Sequence, residues 1–148
     1  MPEKYWEDFQ TGFTFKTPSI TVTETHIVNW AGLTMDFYPL HMDKEFAAKS
    51  PMKERVAHGP LIFGMAVGMA GLARVEGGSI IAWMGVDGMK MLAPVKIGDT
   101  ITNHVEVVDR RETGKPAQGM QTWRYTVKNQ RDEAVMVFDM KFLMYRKP

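Results

Sequence analysis

The chain has no cysteine among its 148 residues, so disulfide staples, thiolate zinc sites and thiol nucleophiles are excluded at once. It has no apolar run of the roughly 18 residues that a membrane-spanning helix needs. The first residues, Met1-Pro2-Glu3-Lys4-Tyr5-Trp6-Glu7-Asp8, hold no apolar stretch behind basic ones, so no secretory leader is read there. A charge excess is missing as well. With 18 basic and 17 acidic side chains the net charge is +1, which offers neither nucleic acid nor a membrane a general electrostatic handle. A soluble, cytoplasmic protein is the expectation, and the length suits one domain, 1–148, able to bury a real core.

What is plentiful is methionine, at 13 residues. Its flexible, polarizable side chain suits irregular apolar surfaces, and most of the 13 are expected in the core.

Local patterns give an order of elements. Phe13 to Thr23, rich in Phe, Ile, Val and Thr and broken by Pro18, reads as one or two short edge strands. Thr23 is placed to cap a helix carrying Ile27, Trp30, Ala31 and Thr34 at helical spacing. Asp43 caps a short helix through Ala48. Pro60 to about Arg74 is the most apolar segment, hydrophobic all round, and the pattern predicts a helix buried on every side. Gly59, Gly64, Gly68 and Gly71 are expected to let strands approach it closely. Ser79 to Leu92 reads as a long strand covered on both faces and bent at Gly85 and Gly88. Alternating strands follow from Ile101 and from Trp123, and a last strand runs from about Ala134 to Tyr145, joined by turns at 113–116 and 129–132. The fold class is α+β: one antiparallel sheet curled around a long apolar helix.

Asp36 and His41 are the first candidates for chemistry. On a helix, five steps leave two side chains about 140° apart, and on a strand an odd offset sends them to opposite faces. Pro39 lacks an N–H and biases Tyr38 towards extended backbone. The segment therefore bends, and a bend can bring a carboxylate and an imidazole around one small volume fit for a water molecule. An ordinary helix end followed by a proline turn and a polar loop histidine explains the spacing equally well.

The run Asp36-x-x-Pro39-x-His41-x-Asp43, then Phe46-Ala47, then His58-Gly59 opening an apolar helix, resembles the MaoC-like hydratases, the R-specific enoyl-CoA hydratases of hotdog fold. Pro94-Val95-x-x-Gly98-Asp99-Thr100 is similar to that family's approach to its third sheet strand, and the resemblance runs from Phe13 to Tyr145. It implies that Asp36 and His41 hold and activate a water for addition to a trans-2-enoyl-CoA, or for the reverse dehydration of a 3-hydroxyacyl-CoA. It implies that the backbone N–H of Gly59 receives the thioester oxygen, since helix N-termini favour developing negative charge. Coenzyme A arrives as part of the substrate, and no separate cofactor or metal is expected.

Tyr38 and His58 are placed beside the substrate. Met65, Met69, Trp83, Met84 and Met89, the densest set of flexible or broad apolar side chains, are candidates for an acyl tunnel with Val67. Arg55, Lys53, Arg74 and Lys90 are candidates for the phosphates of coenzyme A. Two positions depart from the family pattern: Tyr38 stands where asparagine is usual, and Val67 where a serine is frequent. Family members with one such unit dimerise, so a homodimer or an assembly of dimers is expected.

Three other readings compete. A hotdog thioesterase often carries an acid on the central helix, and none lies between Pro60 and Arg74. His41-x-Asp43 with His58 has the ligand types of a two-histidine, one-carboxylate iron site, but Asp43 is better used as a helix cap. A non-catalytic acyl-CoA-binding subunit is kept open by the changes at Tyr38 and Val67, while the retained Asp36–His41 pair argues for chemistry. His26 and His104 read as solvated surface.

Overall fold

The computed structural model describes residues 1–148. Helix α1 spans Glu24–Thr34, with the Thr23 N–H donating to His26 Nδ1 at 3.0 Å. It is followed by α2 (Pro39–Met42), α3 (Lys44–Lys49) and α4 (Gly59–Ala73). Strands β1 (Thr14–Lys16) and β2 (Ile20–Thr21) flank Pro18, and β3 (Ile80–Met91), β4 (Thr100–Glu112), β5 (Gln118–Lys128) and β6 (Ala134–Tyr145) follow α4. The order across the antiparallel sheet is β1-β4-β5-β6-β3, with β2 also on β4.

Period-two patterning orients the sheet. Ile101, Val105 and Val107 of β4, Trp123, Tyr125 and Val127 of β5, and Phe138, Met140, Phe142 and Met144 of β6 are buried. They join Leu61, Ile62, Ala66 and Met69 of α4 in a single core. Asn103, on the same inward face of β4, is fully buried; its Nδ2 donates to the Ala66 carbonyl at 2.7 Å and ties the helix to the sheet.

The N-terminal segment closes over the far end of β5. Trp6 donates Nε1–H to the Met120 carbonyl at 2.9 Å, and the Arg110 guanidinium lies 3.8 Å from the centre of its ring. Gln121 Nε2 binds the Trp6 and Phe9 carbonyls, and its Oε1 accepts from Trp123 Nε1. Gly119 is required here, because a Cβ would lie 2.6 Å from the Trp6 ring.

Two expectations are corrected. Helix α4 is not buried all round: Pro60, Gly64, Gly68, Gly71 and Leu72 are exposed. Of its glycines only Gly59 meets a strand, at the Met91 side chain of β3; nothing lies within 4 Å of a Cβ at Gly68 or Gly71, and at Gly64 the neighbour is the Trp30 ring of α1. An all-apolar helix carries no polar face to say which side turns outward. Strand β3, expected to be covered on both faces, is an edge strand paired only with β6, and Trp83, Met84, Met89 and Met91 are exposed along it. Its bends fall where expected, with register shifts at Trp83/Gly85 and Asp87/Lys90. No helix is long and apolar enough to cross a membrane.

Candidate active site

Helix α1 stops because Met35 takes a left-handed conformation, φ 63°. Asp36, Phe37 and Tyr38 then run outside helical structure, and Pro39 opens α2, where its missing N–H costs nothing. The bend therefore lies at 35–38, and His41 sits on a helix rather than in a loop. Asp36 Oδ1 accepts from the Tyr38 N–H at 3.3 Å, a local turn that leaves the other carboxylate oxygen uncommitted. Asp43 Oδ1 accepts from the Phe46 N–H at 3.0 Å, the expected N-cap of α3.

His41 Nδ1 lies 2.8 Å from the carbonyl oxygen of Val56. A carbonyl only accepts, so Nδ1 carries the hydrogen and Nε2 keeps its lone pair. His58, fully buried at the start of α4, lies with Nε2 3.0 Å from the Asp36 carbonyl and must donate in the same way. Its Nδ1 is buried without a partner. Burial holds the His58 imidazole below its ordinary range and the neighbouring His41 adds to this, while the contacts with Asp36 oppose it. Ligand-type atoms of Asp36, His41 and His58 all lie within 4.8 Å of one another. The Asp43 ligand weighed from the sequence is thus replaced by Asp36. That set can hold a cation, and it can equally hold a water.

Gly59 is the first residue of α4, where a backbone N–H has no intrahelical acceptor. A Cβ there would meet only the Met91 side chain, with Sδ at 3.4 Å. Met91, which the sequence did not single out, therefore covers the helix start. Tyr38 is 56% exposed; its ring lies steeply inclined to those of His41 and Phe46, with centres 6.1 and 6.2 Å apart, so it borders the site.

The expected tunnel residues separate. Met69 is in the core and Met65 half-buried, while Met84 and Met89 lie on the exposed edge strand and Trp83 leans on Phe63 with ring centres 6.3 Å apart. Val67 instead lines an apolar cavity of about 160 Å³ with Ala70, Trp123 and Tyr125. The largest recess, about 890 Å³, lies at the chain termini and shares no residue with the Asp36–His41 site. Arg74 lines that recess, at the opposite end of α4 from Gly59 and about 22 Å along the axis. Arg55 is paired with Glu24, and Lys53 and Lys90 are exposed. His26 is half-buried, and His104 is held below its ordinary range by burial and then by Lys16 and Lys128.

The pattern of the MaoC like domain matches residues 8–129. The chain belongs to the MaoC-like domain family. As a MaoC-like domain it is 37% identical over 137 residues to the MaoC protein of Klebsiella aerogenes, covering 86% of this chain but 40% of that protein. It is 35% identical to an (R)-specific enoyl-CoA hydratase of Rhodospirillum rubrum over 70% of this chain and 69% of that one. Among solved structures, a monoamine oxidase regulatory protein from Archaeoglobus fulgidus superposes with a TM-score of 0.92 at 37% identity, covering 98% of this chain and 96% of that one. The fold is the hotdog fold, present in duplicate in a double hotdog protein of Mycobacterium tuberculosis (TM-score 0.86, 23% identity, 98% of this chain and 45% of that one).

Proposed function

We propose that this MaoC-like domain adds water reversibly across the double bond of a trans-2-enoyl-CoA. One observation carries the reading: the Val56 carbonyl commits Nδ1 of His41 as a donor, leaving Nε2 as a base in the same small volume as the Asp36 carboxylate. Asp36 accepts one hydrogen of the bound water and orients it. Nε2 of His41 takes the other as the oxygen bonds to C3 of the enoyl group. The π electrons move towards the thioester carbonyl, whose oxygen becomes enolate-like and receives the Gly59 N–H. The proton taken from the water then passes to C2 on the same face, so that H and OH are added and nothing else is consumed. The reverse sequence dehydrates a 3-hydroxyacyl-CoA. The (R)-specific hydratase name of the Rhodospirillum relative supports this class.

The exposed apolar side chains on the unpaired edge of β3 favour a homodimer formed over that edge. Sedimentation showing a stable, active monomer at micromolar concentration would remove that assignment.

The deciding experiment is Asp36→Asn, nearly isosteric but without the negative charge, assayed by the absorbance of the conjugated thioester. Hydration is expected to fall by about a hundred-fold or more while acyl-CoA still binds. Near-normal rates in both Asp36→Asn and His41→Ala would overturn the reading. Tight acyl-CoA binding with no turnover by the wild type would replace it with an acyl-CoA-binding module.

A further inference from the structure

Gly59, Phe63, Val67 and Ala70 follow one another at helical spacings of four, four and three, so they share one side of α4. The oxyanion donor and the 160 Å³ cavity therefore lie on the same face, separated by the Phe63 ring, which packs edge-on against Phe138 at 5.0 Å. Val67 is eight residues beyond Gly59, about 12 Å of helix rise. This is within reach of an acyl chain whose thioester is held at Gly59.

The cavity differs from a plain aliphatic slot. Its sheet-side wall is aromatic, formed by Trp123, Tyr125 and Phe142. Its volume matches a single ring, since an apolar cavity of about 150 Å³ takes a benzene. Tyr125 is 2% exposed and stacked on Phe138 with ring centres 4.8 Å apart, yet its hydroxyl has no hydrogen-bond partner in the chain. Glu76 lines the same cavity, and it also borders the larger recess at the termini, so a carboxylate stands at the distal mouth.

We propose that this cavity receives the far end of the acyl group and selects a ring-sized terminus bearing a neutral hydroxyl, with Tyr125 and Glu76 as its hydrogen-bond partners. The inference rests on the enoyl-CoA reading of the site. The Tyr125 O–H donates to the ligand oxygen and the Glu76 carboxylate accepts the ligand's own hydrogen, so neither group stays unpaired. An acyl group ending in a carboxylate is disfavoured, because its charge would face Glu76.

The test uses p-cresol and toluene, which differ by one hydroxyl, titrated into the intact protein and followed by methyl NMR. Both are expected to shift the methyl signals of Val67, Ala70 and Ile80; no response there would overturn the proposal. Tyr125→Phe is expected to weaken p-cresol by about five-fold relative to toluene, the equivalent of about one hydrogen bond. Equal changes for the two ligands would also overturn it. A series of saturated acyl-CoAs of increasing tether length, ending in phenyl or 4-hydroxyphenyl, then connects the cavity to the thioester by calorimetry on the wild type. At one tether length the hydroxylated form should bind about five-fold tighter; no such length means the cavity is not the acyl subsite. Hydration of short enoyl-CoAs, measured in parallel, separates the two claims. If it persists without ligand discrimination, the subsite alone fails; if it is absent while discrimination persists, the hydratase reading alone fails.

Discussion

The imidazoles of His41 and His58 lie face to face, ring centres 3.9 Å apart and tilted by 30°. Each spends one nitrogen on a backbone carbonyl, His41 on Val56 and His58 on Asp36. The pair thereby couples the histidine of α2, the backbone of Asp36 and the first turn of α4. Two positive charges at that separation would repel strongly, and burial already disfavours the charged form of His58.

His58 should therefore make stability pH-dependent. Its folded-state pKa is depressed, so as pH falls below the ordinary histidine value of about 6.5 the unfolded chain takes up a proton first. The stability it contributes is present above about pH 6.5 and is lost as pH falls from there towards the folded-state value. Urea unfolding at about pH 7.5 and about pH 5.5 should show a larger loss in the wild type than in His58→Gln. Equal losses would mean that another group carries the dependence.

Asp36 and His41 act on one water, so their losses should not add. Each single substitution is expected to lower kcat by about a hundred- to ten-thousand-fold, and the double variant should resemble the worse single one. Kinetics of Asp36→Asn, His41→Ala and the pair decide this. Fully multiplicative losses would indicate two independent roles.

Gly59→Ala separates the needs of the fold from those of the site. The added methyl meets Met91 Sδ at 3.4 Å, an ordinary contact with a flexible side chain. The thermal midpoint should change little, while crowding of the thioester is expected to lower kcat/KM by about ten-fold or more. Unchanged kinetics would show that the substrate does not approach this face of the backbone.

Gly119→Ala should do the opposite. Its methyl would lie 2.6 Å from a Trp6 ring pinned by Met120 and Arg110. Overpacking of this kind costs about 1–3 kcal/mol. Denaturant unfolding reads the loss, and Trp6 fluorescence should change with it. A neutral result would mean that the N-terminal segment moves aside freely.

Much of the architecture was legible in short stretches because local rules decide it. Alternation set the inward faces of β4 and β5, and the last strand, expected from about Ala134 to Tyr145, has those bounds as β6. Asp43 announced α3, His58-Gly59-Pro60 announced α4, and the five-residue offset of Asp36 and His41 required a bend. The remaining features depend on neighbours distant in the chain. The tautomer of His41 is set by a carbonyl fifteen residues away, and Asn103 is paired by a helix carbonyl. The apolar run of β3 reads the same in the middle of a sheet as at its edge, because alternation describes one strand and not its neighbours. Helix α4, apolar on every side, carries no mark of which side faces the sheet. Backbone preference and side-chain period are properties of a few consecutive residues, whereas partners across the sheet exist only once packing has set its order and register.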